Sequence, residues 1–120
     1  MGILDGRSIL VVEDEMLVMM NLEVALEDMG CSSVCPVATV IKALALLKEQ
    51  NFDLAILDVN LGGEKSYPIA DILIARGIPF AFSTGYSDHG DRADLNCQPI
   101  LRKPYLACDV AKVVDQLLHH

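Results

Sequence analysis

The chain has 120 residues, of which 52% are hydrophobic, and its formal net charge is −8 at pH 7. This length fits one domain, and the apolar content is sufficient for a buried core, so the chain is not a disordered acidic tail. The negative charge argues against direct binding to nucleic acid, because phosphate would be repelled and no stripe of Lys and Arg offsets the repulsion.

The cysteine pattern and the hydropathy exclude further classes of protein. Cys31 and Cys35 are close in sequence, but a C-x-x-x-C spacing without a nearby His is a poor zinc signature. The sequence shows no secretory signal, and we therefore expect reduced thiols and a cytoplasmic protein. No apolar run approaches the roughly 20 residues that span a bilayer, so we expect no membrane partner.

Short apolar runs predict five strands, and apolar residues at helical spacing predict helices between them. The strands are predicted at 8–12, 33–35, 54–57, 80–83 and 100–102. The helices are predicted at 18–29, 40–47, 68–73 and 110–118, with a short one at about 92–95. Thr39 is placed to cap the second helix, and Pro68 suits the first turn of the third. Met16, Met19 and Met20 are interpreted as packing residues of the first helix rather than as ligands.

This alternation of strands and helices predicts an α/β fold. The expected architecture is a doubly wound (βα)5 fold, with a five-stranded parallel sheet and helices on both of its faces. Right-handed crossovers restrict the topology, and the functional site of such a sheet lies at the carboxyl ends of its strands. We predict a single domain over residues 1–120, with its core at about residues 7–118.

Polar residues follow four of the predicted strands. Glu13 and Asp14 follow the first strand, Asp58 the third, Thr84 the fourth and Lys103 the fifth. In a doubly wound sheet these residues meet at one edge, where the carboxylates repel one another unless a cation offsets their charge. Mg²⁺ suits the set, because it takes oxygen ligands and keeps several waters.

This set of side chains is chemically suited to phosphoryl transfer. Asp58 can act as a nucleophile toward phosphorus, as carboxylates that form aspartyl-phosphates do. The metal ion and Lys103 would neutralise charge on the transferring group, and Thr84 could donate a hydrogen bond to its oxygens.

Four segments, each at the end of a predicted strand, carry a resemblance to a known family. They are residues 9–15 (ILVVEDE), 57–61 (LDVNL), 83–85 (STG) and 102–104 (RKP). With these segments in this order, the chain resembles the receiver domain of response regulators, the phosphoproteins of two-component phosphorelay systems, over nearly its whole length. The resemblance implies a flavodoxin-like sheet with the strand order 2-1-3-4-5.

The resemblance also implies a role for each residue of the site. Glu13 and Asp14 look like the acidic pair that holds Mg²⁺, together with Asp58, the phosphoacceptor. Asn60 matches a position whose backbone carbonyl also contacts the metal. Lys103 matches the lysine that pairs with the phosphoryl group.

Residues that transmit the signal show two departures from the commonest receiver pattern. Thr84 matches the hydroxyl residue that moves toward the phosphoryl group, and the bond from the lysine to Pro104 is typically cis in this family. An aromatic residue usually stands three positions before the lysine, but this sequence has Ile100 there. Residues 82–86 (FSTGY) are similar to the motif of the FAT GUY receivers, which suggests that Tyr86 takes over the signalling role.

The function predicted from these residues is a phosphorylation-dependent switch and not an enzyme acting on other substrates. The expected phosphodonor is a sensor histidine kinase or a histidine phosphotransfer protein, and the expected output partner is a downstream protein target. The chain itself is expected to be a monomer or a weak dimer. One alternative is a pseudo-receiver that binds partners without phosphorylation. Another is a small phosphatase with an aspartate nucleophile, although Asn60 cannot supply the acid/base function of a D-x-D element.

Overall fold

A computed structural model of the chain describes residues 4–84 and 98–119. The strands are β1 (Ser8–Val12), β2 (Ser33–Val37), β3 (Leu54–Asp58), β4 (Asn60–Leu61), β5 (Glu64–Lys65), β6 (Phe80–Thr84) and β7 (Ile100–Arg102). The helices are α1 (Met16–Asp28), α2 (Val40–Glu49), α3 (Tyr67–Arg76) and α4 (Ala107–Leu118). The short helix predicted at about 92–95 lies outside the described residues. Within the described part of the chain, no helix has the length and apolar composition that crossing a membrane requires.

The main sheet has five parallel strands in the order β2-β1-β3-β6-β7. Numbered among themselves these strands run 2-1-3-4-5, so the predicted doubly wound topology is confirmed. The sequence did not predict the hairpin of β4 and β5, which pairs Asn60 with Lys65 and Leu61 with Glu64. Gly62 and Gly63 make the tight turn of this hairpin, and both have positive φ angles that favour glycine.

The apolar core forms two layers, one on each face of the sheet. The central strand β3 is buried along its whole length, as the continuous apolar run predicts. Its side chains alternate between the layers, with Ala55 and Leu57 under α2 and α3 and with Leu54 and Ile56 under α1 and α4. Both faces of the sheet are therefore covered, and the polar groups at the carboxyl ends of the strands lie above a dry interior.

Local signals set the start of α2, as predicted from Thr39, and the end of α3. The Thr39 side chain caps α2 by accepting a hydrogen bond from the backbone N–H of Lys42 at 3.2 Å. Gly77 ends α3 in the left-handed conformation, with a φ angle of 68°.

The interpretation of the methionines as packing residues is correct only for Met19, which is buried on the inner face of α1. Met16 and Met20 are exposed, because they lie on the side of α1 that turns away from the sheet. Their apolar side chains therefore contribute to the surface rather than to the core.

Two leucines of α1 allow a matched test of this packing. Leu26 is fully buried, whereas Leu17 is 75% exposed. We expect Leu26→Ala to lower the free energy of unfolding by about 3 kcal/mol, because it leaves a cavity in the core. Leu17→Ala should change it by less than about 0.5 kcal/mol. Urea denaturation measures both values, and equal losses would contradict the assigned packing of α1.

Candidate functional site

Backbone pairing brings the polar residues together at the carboxyl edge of the sheet. Asp58 ends β3, the central strand, and pairs with Ser83 of β6. The N–H of Glu13, one residue beyond β1, donates to the carbonyl oxygen of Val37 at 3.0 Å. The N–H of Lys103, one residue beyond β7, donates to the carbonyl oxygen of Thr84 at 2.9 Å. Each polar residue is thus held by a neighbouring strand, as the doubly wound topology requires.

The carboxylates of Glu13, Asp14 and Asp58 form one acidic cluster. One oxygen of each lies within 4.8 Å of the others. Glu13 and Asp58 are buried, whereas Asp14 is exposed and leaves the cluster open to water on one side. This donor set fits Mg²⁺, which binds a few carboxylate oxygens and retains several of its waters.

Lys103 lies at the centre of this cluster. Its Nζ is 2.9 Å from Oε1 of Glu13 and 3.1 Å from Oδ2 of Asp58, and the lysine side chain is only 15% exposed. A third carboxylate, that of Glu15, lies 3.6 Å from the same nitrogen. Glu15 had no role predicted from the sequence, although its place in the acidic run 13–15 was a signal. The lysine offsets carboxylate charge that would otherwise be repulsive.

The pKa values of the cluster reflect burial and mutual charge. Burial raises the pKa of Glu13 from 4.5 to about 7, with Lys103 acting against this rise and Asp58 adding to it. Burial by itself lowers the pKa of Lys103, but the hydrogen bonds and charges of Glu13 and Asp58 outweigh it and raise that pKa. The lysine is therefore firmly cationic, and the charge of Glu13 changes with pH near neutrality.

The two oxygens of Asp58 have different partners. Oδ1 accepts a hydrogen bond from the backbone N–H of Asn60 at 3.2 Å, and Oδ2 accepts one from Lys103. The Asn60 side chain in turn accepts from the N–H of Gly63 at 3.1 Å. A Cβ atom on Gly62 would stand 3.8 Å from Oδ2 of Asp14, so the β4–β5 hairpin passes close to the acidic cluster. The metal contact expected from the Asn60 carbonyl stays a prediction.

The structure describes three of the residues predicted to transmit the signal, Thr84, Ile100 and Pro104. Thr84 is buried at the end of β6, and Ile100 is half-buried at the start of β7. The peptide bond between Lys103 and Pro104 is cis, as the resemblance implied. Tyr86 lies outside the described residues, so its role stays a prediction.

Sequence reasoning missed two hydroxyl groups at the site, those of Ser83 and Tyr105. Both oxygens are buried on the α1 and α4 side of the sheet. Burial, followed by the charge of Glu13, raises the pKa of Tyr105 to about 12, while Lys103 and the Ser83 hydroxyl act in the opposite direction. The signal for Tyr105 was an aromatic residue directly after Lys103 and Pro104.

Comparison with known families accounts for this arrangement. The family model described as the response regulator receiver domain matches residues 9–114, a span that includes every polar strand end described above. The chain belongs to this family. The receiver architecture explains why acidic residues follow β1 and β3 while the lysine follows β7.

The chain is also similar to individual receiver structures and proteins. The solution structure of SdrG from Sphingomonas melonis Fr1 is 48% identical, covers 93% of this chain and 96% of that one, and superposes with a TM-score of 0.84. The BeF3-activated conformation of SdrG from Pseudomonas melonis Fr1 is 48% identical, covers 92% of this chain and 95% of that one, and has a TM-score of 0.79.

A curated relative extends the comparison to a larger protein. The transcriptional regulatory protein YvrH of Bacillus subtilis (strain 168) is 24% identical over 112 residues, which are 90% of this chain. The match covers 47% of YvrH, so this chain spans about half the length of that relative.

The raised pKa of Glu13 predicts how the stability of the metal-free receiver depends on pH. The folded protein keeps the Glu13 proton to about pH 7, whereas the ordinary pKa is 4.5. Protonated Glu13 therefore adds to the free energy of unfolding. This added stability is complete below pH 4.5 and is lost as the pH rises through about 7. We expect Glu13→Gln to reduce the fall in stability over this range in urea denaturation with EDTA. The exposed Glu27→Gln is the control, and equal slopes in both variants would contradict the assignment.

Proposed function

We propose that this receiver is a phosphorylation-dependent signalling switch, in which Asp58 accepts a phosphoryl group from a His-phosphorylated protein in the presence of Mg²⁺. The observation that carries the proposal is the setting of the Asp58 carboxylate. It is buried in an acidic cluster, with one oxygen on Lys103 and the other on the N–H of Asn60. A carboxylate held in this way is oriented for attack on phosphorus.

The chain's own oxygen ligands would hold the metal ion. Glu13, Asp14 and Asp58 would supply carboxylate oxygens, and Asn60 would supply its backbone carbonyl. Bound there, Mg²⁺ would neutralise charge on the phosphoryl oxygens.

The transfer itself exchanges one bond to phosphorus for another. A carboxylate oxygen of Asp58 forms the new O–P bond, and the P–N bond to the donor imidazole breaks, with its electron pair returning to that nitrogen. Lys103 would exchange its contact with Asp58 for one with a phosphoryl oxygen and thereby stabilise the added negative charge. The Thr84 hydroxyl would donate a hydrogen bond to another phosphoryl oxygen.

The proposed output is a change in protein–protein interaction. Phosphorylation adds roughly two negative charges at the edge of the sheet and shifts an equilibrium between two conformations. The SdrG structure in a BeF3-activated conformation supports such an equilibrium in a protein 48% identical to this one. We propose that a sensor histidine kinase or a histidine phosphotransfer protein donates the phosphoryl group, and that the phosphorylated chain then acts on a downstream protein target. We propose that these interactions take place in the cytoplasm. We also propose that the chain catalyses only its own phosphorylation and dephosphorylation.

Intact-mass spectrometry tests the phosphoacceptor directly. After incubation with acetyl phosphate and Mg²⁺, we expect the mass to increase by one phosphoryl group, and we expect EDTA to prevent this increase. Asp58→Asn should show no gain, because it lacks the nucleophilic carboxylate. Asp115→Asn, which alters an exposed aspartate of α4, should behave as wild type.

A second phosphodonor decides between the switch and a pseudo-receiver. A phosphorylated histidine kinase domain replaces acetyl phosphate as the donor. Intact-mass spectrometry then follows the phosphoryl group as the kinase domain loses its mass and the receiver gains it. If neither donor phosphorylates Asp58, and if a partner binds Asp58→Asn as tightly as wild type, the pseudo-receiver replaces the switch.

Substitution of Lys103 should change metal binding and phosphorylation in opposite directions. Lys103→Met removes the ammonium group that pairs with Glu13 and Asp58, so Mg²⁺ becomes the main cation that can offset their charge. We expect about tenfold tighter Mg²⁺ binding by calorimetry, because cation repulsion is removed, and slower phosphorylation by acetyl phosphate. Lys48→Met, an exposed substitution in α2, is the control. Weaker Mg²⁺ binding in Lys103→Met would contradict this account of the site.

A further inference from the structure

Three carboxylates surround the ammonium group of Lys103, at different distances. Glu13 and Asp58 lie within hydrogen-bond distance of its Nζ, at 2.9 Å and 3.1 Å. Oε1 of Glu15 is 3.6 Å from the same nitrogen, a distance that makes an ion pair but is too long for a good hydrogen bond. Glu15 is therefore an outer partner of the lysine, attracted by charge and able to come closer.

The Glu15 carboxylate differs from the other two in its surroundings. Its side chain is 66% exposed, whereas those of Glu13 and Asp58 are 2% and 8% exposed. Among the described residues, the carboxylates whose oxygens lie within 4.8 Å of one another are those of Glu13, Asp14 and Asp58, and Glu15 is outside this group. A divalent cation at the cluster would therefore take oxygens that Lys103 now contacts but would leave the Glu15 oxygens to the lysine.

Helix capping does not account for the position of Glu15. This residue is the N-cap of α1, where an acidic side chain can accept a hydrogen bond from the first turn and is favoured by the helix dipole. In the part of the chain that the structure describes, the Glu15 side chain makes no such bond. Its backbone N–H donates to Oε2 of Glu13 at 3.1 Å, which ties the residue to the cluster. The carboxylate is thus available to Lys103 rather than used by the helix.

The lysine requires another acceptor whenever the cluster holds a metal ion. The Lys103 side chain is only 15% exposed, and an ammonium group without a partner in such a place is costly. A divalent cation bound to Glu13 and Asp58 would occupy the two acceptors of this ammonium group and repel it. Metal binding would then include the cost of leaving the lysine unpaired. Glu15 lowers that cost, since it is already within ion-pair distance of the lysine.

We propose that Glu15 is a positioning residue that takes over the Lys103 ammonium group when Mg²⁺ binds to Glu13 and Asp58. In the metal-free state the lysine pairs with the two buried carboxylates. In the metal-bound state it turns toward Glu15 and so remains in the site. From there it passes to a phosphoryl oxygen once that group is on Asp58. This last step rests on the proposed function of Asp58.

A double-mutant cycle read by metal affinity tests the proposal. Calorimetry measures the binding of Mg²⁺ alone to wild type, Glu15→Gln, Lys103→Met and the double variant. With Lys103 present, we expect Glu15→Gln to weaken binding about fivefold, because the cation loses the attraction of the carboxylate and the lysine loses its acceptor. With Lys103 replaced, only the attraction is lost, and we expect an effect of about twofold.

A matched variant controls for the change of charge. Glu27→Gln removes the same charge from an exposed position near the end of α1 and should bind Mg²⁺ as wild type does. Equal effects of Glu15→Gln with and without Lys103 would overturn the inference, because the carboxylate would then act on the cation by its charge alone.

A spectroscopic measurement follows the lysine without any substitution of Lys103. Ammonium hydrogens held in an ion pair exchange slowly with water and are visible in proton–nitrogen NMR correlation spectra, whereas solvated ones exchange rapidly. We expect the Lys103 signal to shift but persist when wild type is saturated with Mg²⁺, because Glu15 replaces the buried acceptors. In Glu15→Gln, saturation should broaden the signal beyond detection. Loss of the signal in both proteins, or its persistence in both, would contradict the exchange.

These measurements separate failure of this inference from failure of the proposed function. Metal affinity and the lysine signal are recorded without a phosphodonor, so they do not depend on transfer to Asp58. If they come out as expected while wild type gains no phosphoryl group, the switch is wrong and the exchange of Lys103 between carboxylates stands. If wild type is phosphorylated and both effects of Glu15→Gln are absent, only the role of Glu15 is wrong.

Discussion

The structure depends on one electrostatic constraint, which is that three carboxylates share the space at the end of a parallel sheet. The order of the strands brings Glu13 and Asp58 together at the ends of β1 and β3, and Asp14 adds a third charge beside them. Such a cluster is stable only when a cation offsets the repulsion. Lys103, delivered by the outermost strand β7, lies between Glu13 and Asp58 and provides that charge.

The same constraint supports the proposed switch at this edge of the sheet. Burial raises the pKa of Glu13 to about 7, so keeping this carboxylate ionised in the folded protein costs free energy. Lys103 offsets that cost, and a divalent cation bound to the cluster would compete with it for the same oxygens. A phosphoryl group on Asp58 would redistribute these contacts.

Much of the fold and part of the site could be predicted from local patterns. The buried run 54–57 and the cap at Thr39 depend on neighbours in sequence, and the structure has them as predicted. The β4–β5 hairpin was not predicted, because strands of two residues carry too few side chains to show a period. The exposure of Met16 was also missed, since an apolar residue does not reveal which face of a helix the sheet covers.

The sequence by itself determined that the chain alternates strands with helices and that acidic residues, a hydroxyl and a lysine each follow a strand. These properties follow from the spacing of apolar residues and the residue types at the strand ends, which are local. Only the tertiary structure decided that Lys103 pairs with Glu13 as well as with Asp58. Those contacts join residues distant in sequence, and their distances depend on how β1, β3 and β7 are aligned across the sheet.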